Sequence, residues 1–333
     1  MISRQTKAIS LLSGGLDSTL ATIVVQNLGI DVTAVSFITP FGCDATDNSS
    51  CSRNALPAAQ QFGFPLKLNN LGWSFLEIVR NPKHGHGKNM NPCIDCRILM
   101  LKEAKALMDM IGADFLVTGE VVGQRPMSQR KDTLRMIEKQ AGVKDLVLRP
   151  LSAKNLPATT AEKNGLIKRD DFYAFNGRTR KPQIELADKL GLTDYPAPAG
   201  GCLLTEPVYS KRLRHLLSRR SDLEFDDIEL LRSGRQFWTE DGCWIVVGRN
   251  EADNQKLKAL KRPEDSLIYI PGVGSPTVIV RYSGSKDDLL LAGAICARYT
   301  RKRSEQSVSV LTSDGKPMTV KPLTDPEIER FRV

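Results

Sequence analysis

Two groups of residues in this sequence could do chemistry: a loop of serines and glycines near the start, and three cysteines in turn-forming contexts. Residues 13–18 read Ser-Gly-Gly-Leu-Asp-Ser and follow the apolar run 8–12. Glycines let the backbone bend sharply and approach a ligand closely. The first N–H groups of a following helix lack internal partners and lie at the positive end of its dipole. The loop is therefore typical of an anion-binding site. It is not a Walker A loop, because no Gly-Lys-Ser/Thr follows at the required spacing.

Cys93 and Cys96 stand in the sequence Asn-Pro-Cys-Ile-Asp-Cys, where a predicted helix begins. Thiols near a helix N-terminus are expected to have a lowered pKa, which favours nucleophilic attack and metal binding. Cys202 follows two glycines in a distant loop that can approach a site closely. Three roles remain open: half of a zinc site, a redox disulfide, or a catalytic set that moves sulfur. Three thiolates can also hold a 4Fe–4S cluster with one iron open to a sulfur donor.

The remaining cysteines and two of the histidines are weaker candidates for catalytic or metal-binding roles. Cys243 and Cys296 lie in apolar patterns and are predicted to be buried, whereas Cys43 and Cys51 flank a polar loop and receive no role. His84 and His86 lack matched metal-binding partners, so ordinary polar roles are favoured.

Composition limits the class of protein. The chain has 333 residues, 41% of them hydrophobic, which allows two domains with real cores. Its formal net charge is +9, which favours a polyanionic partner. No apolar run reaches the roughly 18 residues that span a bilayer, and the start does not read as a signal peptide. The seven cysteines are an odd number. We therefore expect a cytoplasmic protein with no membrane partner.

The first half of the chain alternates predicted strands and helices. Strands are predicted at 8–12, 32–37, 66–68, 115–118 and 146–148, and helices at 19–28, 53–62, 73–79 and 95–111. This alternation predicts an α/β fold, with a parallel sheet covered by helices on both faces and a ligand site at the carboxyl ends of its strands. Residues 81–94 are predicted to form a loop that can close over a substrate. Residues 150–200 read as a polar helical connection.

The character of the sequence changes near residue 205, where a smaller α+β domain is predicted. Helices are expected at 210–218, 226–231 and 287–299, the last capped by Ser285, and strands at 236–239, 244–247, 267–270 and 278–280. The predicted domains are 1–204 and 205–333. Three basic runs, 211–215, 219–220 and 298–303, are candidates for phosphate contacts.

Several motifs resemble known families. Residues 13–18 match the pyrophosphate loop (PP-loop) of the ATP pyrophosphatases almost letter for letter. Together with Asn-Pro-Cys-Ile-Asp-Cys at 91–96 and the later Gly-Gly-Cys202, they resemble the tRNA 2-thiouridylase family. Residues 118–129, Thr-Gly-Glu-Val-Val-Gly-Gln-Arg-Pro-Met-Ser-Gln, and Leu-Arg-Pro-Leu at 148–151 are similar to the tRNA 4-thiouridine synthetase family. In the C-terminal part, Leu-Arg-Ser-Gly-Arg at 231–235, Val-Gly-Arg-Asn-Glu-Ala-Asp-Asn at 247–254 and the predicted helix 287–299 resemble the RNA-binding module of the NFACT proteins.

The resemblance implies an adenine nucleotide alpha hydrolase-like domain that uses ATP and Mg²⁺ to adenylate a uridine carbonyl in tRNA and then replaces that oxygen by sulfur. The favoured product is 4-thiouridine, and the sulfur donor is hydrosulfide or a persulfide carrier. Asp17, Cys93 and Cys202 are the implied catalytic residues. Cys93, Cys96 and Cys202 are implied as 4Fe–4S ligands, or Cys93 and Cys202 as a persulfide relay. The cluster is favoured, because a two-cysteine relay leaves Cys96 unexplained. The implied nucleotide-binding residues are Ser13, Gly14, Gly15, Asp17, Ser18, Thr118, Gly119, Glu120, Gln124, Ser128 and Gln129.

Other functions stay open at this point. They are a tRNA 2-thiouridylase, a PP-loop ligase or amidotransferase acting on a small molecule, an enzyme that thiolates a free base, and a non-catalytic RNA-binding protein. No THUMP or rhodanese domain is recognisable, so the C-terminal module is expected to dock tRNA. The oligomeric state is not predicted.

Overall fold

A computed structural model describes residues 4–42, 55–195 and 202–333. The chain divides into two compact units, one ending at Thr205 and the other beginning at Glu206. Cys43 and Cys51 lie outside the described residues, so nothing tests the local disulfide that their spacing allows.

The first unit is built on a five-stranded sheet in the order β3-β2-β1-β4-β5. Every neighbouring pair of strands is parallel, and this confirms the predicted fold class. Each predicted strand is present within three residues of its expected ends. The strands are β1 (Lys7–Leu11), β2 (Asp31–Ile38), β3 (Leu66–Asn70), β4 (Phe115–Thr118) and β5 (Val147–Leu148).

Helices cover both faces of this sheet because successive side chains of a strand point to opposite sides. In β1, Ala8 packs into a core with the first helix, while Ile9 packs into the opposite core with the fourth. The helices are α1 (Leu16–Gln26), α2 (Leu56–Phe62), α3 (Gly72–Arg80), α4 (Cys93–Ile111), α5 (Lys131–Ala141), α6 (Thr160–Lys163) and α7 (Lys181–Lys189). The amphipathic α5 was not predicted, since most of its positions are charged or polar.

The stretch predicted as a polar connection is part of the first core. Leu151, Ile167, Phe172 and Leu186 are buried and pack in the same cluster as α1. Its apolar residues are interspersed among many charged and polar ones, so the stretch was predicted to be a polar connection rather than part of a core. This segment therefore places α7 against the core next to α1.

The second unit has a six-stranded antiparallel sheet in the order β11-β10-β8-β9-β7-β6. Its strands are β6 (Arg235–Trp238), β7 (Trp244–Val247), β8 (Ser266–Tyr269), β9 (Val278–Arg281), β10 (Val308–Thr312) and β11 (Pro317–Val320). Its helices are α8 (Pro207–Arg219), α9 (Phe225–Leu230), α10 (Glu251–Ala259), α11 (Lys286–Arg298) and α12 (Asp325–Glu329). The elements α10, β10, β11 and α12 were not predicted.

Two expectations for this unit are confirmed. The Ser285 hydroxyl accepts a hydrogen bond of 3.1 Å from the Asp288 N–H and so caps α11. Cys243 and Cys296 are buried in the core of the sheet. Among the described residues, no helix has both the length and the apolar character that crossing a membrane requires.

Candidate active site

The PP-loop (residues 13–18) joins the carboxyl end of β1 to the start of α1. Gly14 takes a φ of +74°, which glycine adopts without strain. The Ser18 hydroxyl links the loop: it donates to the Gly15 carbonyl at 2.9 Å, accepts from the Ser13 N–H at 3.2 Å and lies 3.0 Å from the Ser13 hydroxyl. Both serines therefore hold the shape of the loop in addition to offering hydroxyls to a ligand.

Gly119 packs directly on the first turn of α1. A Cβ atom on this residue would lie 2.4 Å from the Asp17 carbonyl carbon and 2.4 Å from the Ser18 nitrogen. Real Cβ atoms do not approach backbone this closely, so only glycine fits here. The end of β4 and the start of α1 are thus fixed against each other by backbone packing.

Asp17 is the most unusual carboxylate of this region. Its Oδ2 accepts a 3.0 Å hydrogen bond from the Gln124 amide, but its buried Oδ1 has no hydrogen-bond partner among the described residues. Burial raises the pKa of Asp17, against the opposing effects of Gln124, Arg180 and Arg125. A buried carboxylate oxygen without a partner costs free energy unless a ligand satisfies it.

That unpartnered oxygen fits the predicted Mg²⁺. Proteins commonly hold Mg²⁺ through one or two carboxylates, with substrate phosphates and waters completing the coordination. Asp17 lies in the loop expected to hold those phosphates. One carboxylate oxygen beside an anion-binding loop therefore has the right chemistry for a metal–nucleotide complex.

Glu120 is buried in a network of ions behind this loop. It lies 3.0 Å from Arg149 Nε and 3.6 Å from Arg97 Nε, and it accepts a hydrogen bond from the Thr118 hydroxyl. Burial alone would raise the pKa of Glu120, but the ion pairs with Arg149 and Arg97 outweigh burial and lower it. Arg149 also pairs with Glu138. In this arrangement Thr118 and Glu120 brace the end of β4.

Replacing Arg149 with leucine is expected to destabilise the protein by about 3–5 kcal/mol, because Glu138 would stay buried without its cation and Glu120 would keep only the more distant Arg97. The free energy of unfolding in urea measures this loss. Arg4→Leu is the matched control: its pair with Asp114 has an exposed arginine, and such a pair contributes about 0–1 kcal/mol. Equal losses in the two variants would contradict the prediction.

The pH dependence of stability follows from the same ion pairs. Because the pKa of Glu120 is lowered on folding, its contribution is fully present above the pKa of the unfolded state. It is lost as the pH falls through the lower pKa of the folded state. Wild-type stability should therefore fall in the acid range below the ordinary carboxyl pKa, and this part of the fall should be smaller in Arg149→Leu, where Arg149 no longer lowers the pKa of Glu120.

Ser128 and Gln129 are both buried, in the turn that precedes α5. The Gln129 carbonyl accepts a 2.8 Å hydrogen bond from the Gly123 N–H. The side-chain Oε1 of Gln129 is buried and has no partner among the described residues. These two residues thus shape the loop that carries Gln124 to Asp17.

Cys93 and Cys96 occupy the first turn of α4, but the structure corrects the expected acidity of their thiols. Burial raises the pKa of Cys93 despite the opposing charges of Arg125 and Arg97. Burial likewise raises the pKa of Cys96 to about 11. Desolvation therefore outweighs the helix N-terminus, and both thiols are protonated at neutral pH in this conformation. The Cys96 sulfur lies 3.9 Å from the Met100 sulfur, one turn along the helix.

The segment after Cys202 contacts the segment before Cys93, although the two are far apart in sequence. The Met90 N–H donates to the Leu204 carbonyl at 3.0 Å, and the Asn89 amide donates to the Thr205 carbonyl at 2.6 Å. The Cys202 thiol lies 3.4 Å from the carbonyl of Phe41, which follows the carboxyl end of β2. The segment before α4 and the segment after Cys202 are therefore hydrogen bonded to each other.

These cysteines do not form a ready cluster site in this conformation. Within 4–42, 55–195 and 202–333, no three His, Cys, Asp or Glu side chains are grouped so as to hold a metal ion. The three thiolates implied as 4Fe–4S ligands are thus not gathered, and the residues as arranged do not fit the cluster.

The loop between α3 and α4 is anchored by its histidines. His84 Nδ1 lies 2.8 Å from Asp95 Oδ1, and its Nε2 lies 3.0 Å from the Gln140 amide nitrogen. His86 Nε2 donates to the Val79 carbonyl at 2.8 Å. Both histidines have the ordinary polar roles that the sequence favoured. Closure of this loop over a substrate stays a prediction.

In the second unit, several of the basic residues predicted to touch phosphate are used internally. Arg212 donates to the carbonyls of Leu231 and Gly234, and Arg219 donates to the carbonyl of Thr239. Arg298 pairs with Asp325. Among the exposed basic side chains of the three predicted runs, four make no hydrogen bond or ion pair with other described residues: Lys211, Arg214, Arg301 and Arg303.

Sequence reasoning missed Arg97, Arg180 and Gln183. Arg97 follows Cys96 directly and was read as part of an ordinary helix. Arg180 and Gln183 act on the pKa of Asp17 from a segment more than 160 residues away. No local pattern marks such residues, since only tertiary packing brings them to the site.

Two family models match this chain. Residues 3–159 match the family described as thiamine biosynthesis protein (ThiI). Residues 234–332 match the NFACT protein RNA binding domain. The first match includes the PP-loop, Cys93 and Cys96, and the second lies within the second unit. The motif resemblance to PP-loop tRNA-thiolating enzymes and to the NFACT module is therefore confirmed.

Individual proteins are similar over longer stretches. The tRNA-specific 2-thiouridylase MnmA of Wolbachia pipientis subsp. Culex pipiens (strain wPip) is 28% identical over 224 residues, which are 64% of this chain and 57% of that protein. The chain spans about half the length of the curated relatives it matches.

Two solved structures are also similar. A 4-thiouridine synthetase–RNA complex with bound ATP has 23% identity and a TM-score of 0.38, over 68% of this chain and 52% of that one. The U34-tRNA thiolase NcsA from Methanococcus maripaludis with its 4Fe–4S cluster has 16% identity and a TM-score of 0.34, and the match covers 69% of this chain and 73% of that one.

Proposed function

We propose that this relative of the PP-loop tRNA-thiolating enzymes is an ATP-dependent tRNA uridine sulfurtransferase that forms 4-thiouridine. One observation carries the proposal: the PP-loop with its unpartnered Asp17 oxygen and two cysteine-bearing loops lie in the same unit. The cysteine loops are hydrogen bonded to each other through Met90 and Leu204. The motif at residues 118–129, which resembles the tRNA 4-thiouridine synthetase family, favours the 4-thiouridine product.

The first step is adenylation. The phosphates of ATP bind the N–H groups of the PP-loop and the N-terminus of α1, and Asp17 holds the accompanying Mg²⁺. The uridine carbonyl oxygen attacks the α-phosphorus, and the bond to pyrophosphate breaks. The loop N–H groups stabilise the charge that develops on the leaving pyrophosphate. The uridine oxygen now belongs to a good leaving group, AMP.

The second step transfers sulfur between two cysteines. A carrier loads Cys93 or Cys202 as a persulfide, whose terminal sulfur attacks the activated uridine carbon as AMP leaves. The thiolate of the other cysteine then attacks the cysteine sulfur of this adduct. That attack closes a Cys93–Cys202 disulfide and releases thiouridine, and an external thiol reductant resets the pair. Hydrosulfide is the alternative donor; it would attack the same carbon without forming a disulfide.

A 4Fe–4S cluster is the alternative use of these cysteines, and we assign no step to it because the three thiols are not gathered among the described residues. Iron and sulfide analysis of anaerobically purified protein tests this choice. A content of about four irons per chain that is lost when Cys93, Cys96 and Cys202 are all changed to alanine would show that these cysteines hold a cluster. It would contradict the persulfide relay.

The proposed function is tested by supplying ATP, Mg²⁺, a sulfur donor and unmodified tRNA, followed by mass spectrometry of the nucleosides. We expect 4-thiouridine, with AMP and pyrophosphate released in step with it. Formation of 2-thiouridine would show instead that the protein is a tRNA 2-thiouridylase. Turnover without tRNA would indicate a free base or another small molecule as substrate. Binding of tRNA without AMP release would indicate a non-catalytic RNA-binding protein.

Docking of tRNA is proposed for the second unit, which carries the NFACT match and the exposed Lys211 and Arg214. Changing both residues to alanine is expected to weaken tRNA binding and to reduce the slope of log K against log salt by about 2. Lys105→Ala is the control, since Lys105 lies on α4 in an ion pair with Asp109. An unchanged slope in the double variant would place the docking surface elsewhere.

A further inference from the structure

Gln183 on α7 is buried in an unusual way. The residue is 0% exposed, and its amide oxygen has no hydrogen-bond partner among the described residues. Its amide nitrogen makes no hydrogen bond of ordinary geometry, although the side chain approaches Asp17 and lowers the pKa of that carboxyl group as a hydrogen-bond donor does. Buried polar side chains in native proteins nearly always have partners, and each exception needs an explanation. Leaving a carboxamide unpaired costs folding free energy.

The polar groups near Gln183 indicate which kind of ligand could hydrogen bond to its carboxamide. Gln183 lies close enough to Asp17 to lower the pKa of that carboxyl group, as does the positive charge of Arg180. Asp17 Oδ1 is itself buried and unpartnered, as is Nε of Arg180. Gln183 and Asp17 thus lie side by side, each with an unused acceptor, and Arg180, which has an unused donor, is near enough for its charge to act on Asp17. Their chemistry, two oxygens and two kinds of N–H donor, suits a metal ion with an anion.

The backbone holds Gln183 in this position. The Gly177 N–H donates to the Val122 carbonyl at 2.8 Å, and Asn176 pairs with Val122 in a parallel bridge. A Cβ on Gly123 would lie 3.0 Å from the Asn176 side-chain oxygen. The segment leading into α7 is therefore packed against the same loop that presents Gln124 to Asp17.

We propose that Gln183 is a binding residue for the metal–nucleotide complex. Its carboxamide oxygen accepts a hydrogen bond from a water molecule bound to the metal, or coordinates the metal beside Asp17. Its N–H group donates a hydrogen bond to a phosphate oxygen. Arg180 adds positive charge for the phosphates. The inference rests on the proposed function, and it extends the site to α7, beyond the matched residues 3–159.

The test compares Gln183→Leu and Gln183→Met with Glu185→Ala, a change at an exposed position of the same helix. Calorimetry measures binding of α,β-methylene-ATP in the absence of tRNA, with and without Mg²⁺. Urea unfolding measures the stability of the nucleotide-free proteins. We expect both Gln183 variants to bind the analogue at least about tenfold more weakly with Mg²⁺. Their nucleotide-free stability should be unchanged or higher, because an unsatisfied amide has been replaced by an apolar group.

A purely structural role for Gln183 predicts the opposite pattern. Both variants would then lose stability while their Mg²⁺-dependent affinity stayed that of wild type, and this result would overturn the inference. The two proposals fail separately. If the wild-type protein binds no ATP analogue at all, the proposed function is wrong; if wild type and both variants bind it equally with Mg²⁺, only the role of Gln183 is wrong.

Discussion

Gly119→Ala is expected to abolish nucleotide binding. The new Cβ would lie 2.4 Å from backbone atoms of Asp17 and Ser18, and backbone cannot turn aside as a flexible side chain can. Either β4 or the start of α1 must move, which displaces the PP-loop from its ligand. Misplacing a binding group by about 1 Å can cost about 100-fold, and we expect a loss of at least this size in the affinity for α,β-methylene-ATP.

The control for this change is Gly274→Ala. Gly274 has a φ within the ordinary range, and no atom lies within 4 Å of its added Cβ. This variant should bind the analogue as wild type does. Wild-type affinity in Gly119→Ala would show that the first turn of α1 can shift without loss. The phosphate site would then have to lie away from Asp17 and Ser18.

Cys93→Ser and Cys202→Ser should each stop sulfur transfer while leaving adenylation active. The relay needs one sulfur to carry the persulfide and a second to release the product, so neither hydroxyl can substitute. We expect thiouridine formation to fall by at least about 10³-fold in each variant, as is usual when a nucleophile is removed. Release of AMP and pyrophosphate that depends on tRNA should continue, since Asp17 and the PP-loop are untouched.

Cys96→Ala separates the relay from the cluster. The Cys96 sulfur contacts Met100 within its own helix, and the relay makes no use of it, so this variant should thiolate tRNA at close to the wild-type rate. Losses as large as those of the Cys93 and Cys202 variants, together with loss of iron, would contradict the relay. Loss of AMP release in the Cys93 or Cys202 variants would show instead that these cysteines act before the sulfur step.

Much of the first unit could be predicted because its signals are local. Each parallel strand is a short apolar run, and α1 and α4 repeat apolar residues at helical spacing next to recognisable turn residues. The antiparallel hairpin β10–β11 was missed although Asp314 and Gly315, between two strands of alternating buried and exposed positions, are a local signal typical of hairpins. The predicted low pKa of the Cys93 and Cys96 thiols is wrong. The sequence shows that both residues lie at a helix N-terminus, but it does not show how far the fold buries their thiols, and burial raises the pKa.

The sequence by itself determined the alternating strands and helices, the Ser-Gly-Gly-Leu-Asp-Ser loop and the cysteine motif, since each depends on residues close together in the chain. Only the tertiary structure decided which distant groups meet there. It placed Gly119 on the backbone of Asp17, bonded the segment before Cys93 to the segment after Cys202, and buried Gln183 beside Asp17. These contacts come from helix and loop packing across the end of the sheet, where side chains far apart in sequence share one low-dielectric space. Burial in that space, rather than residue type, sets the pKa of Asp17 and of both thiols.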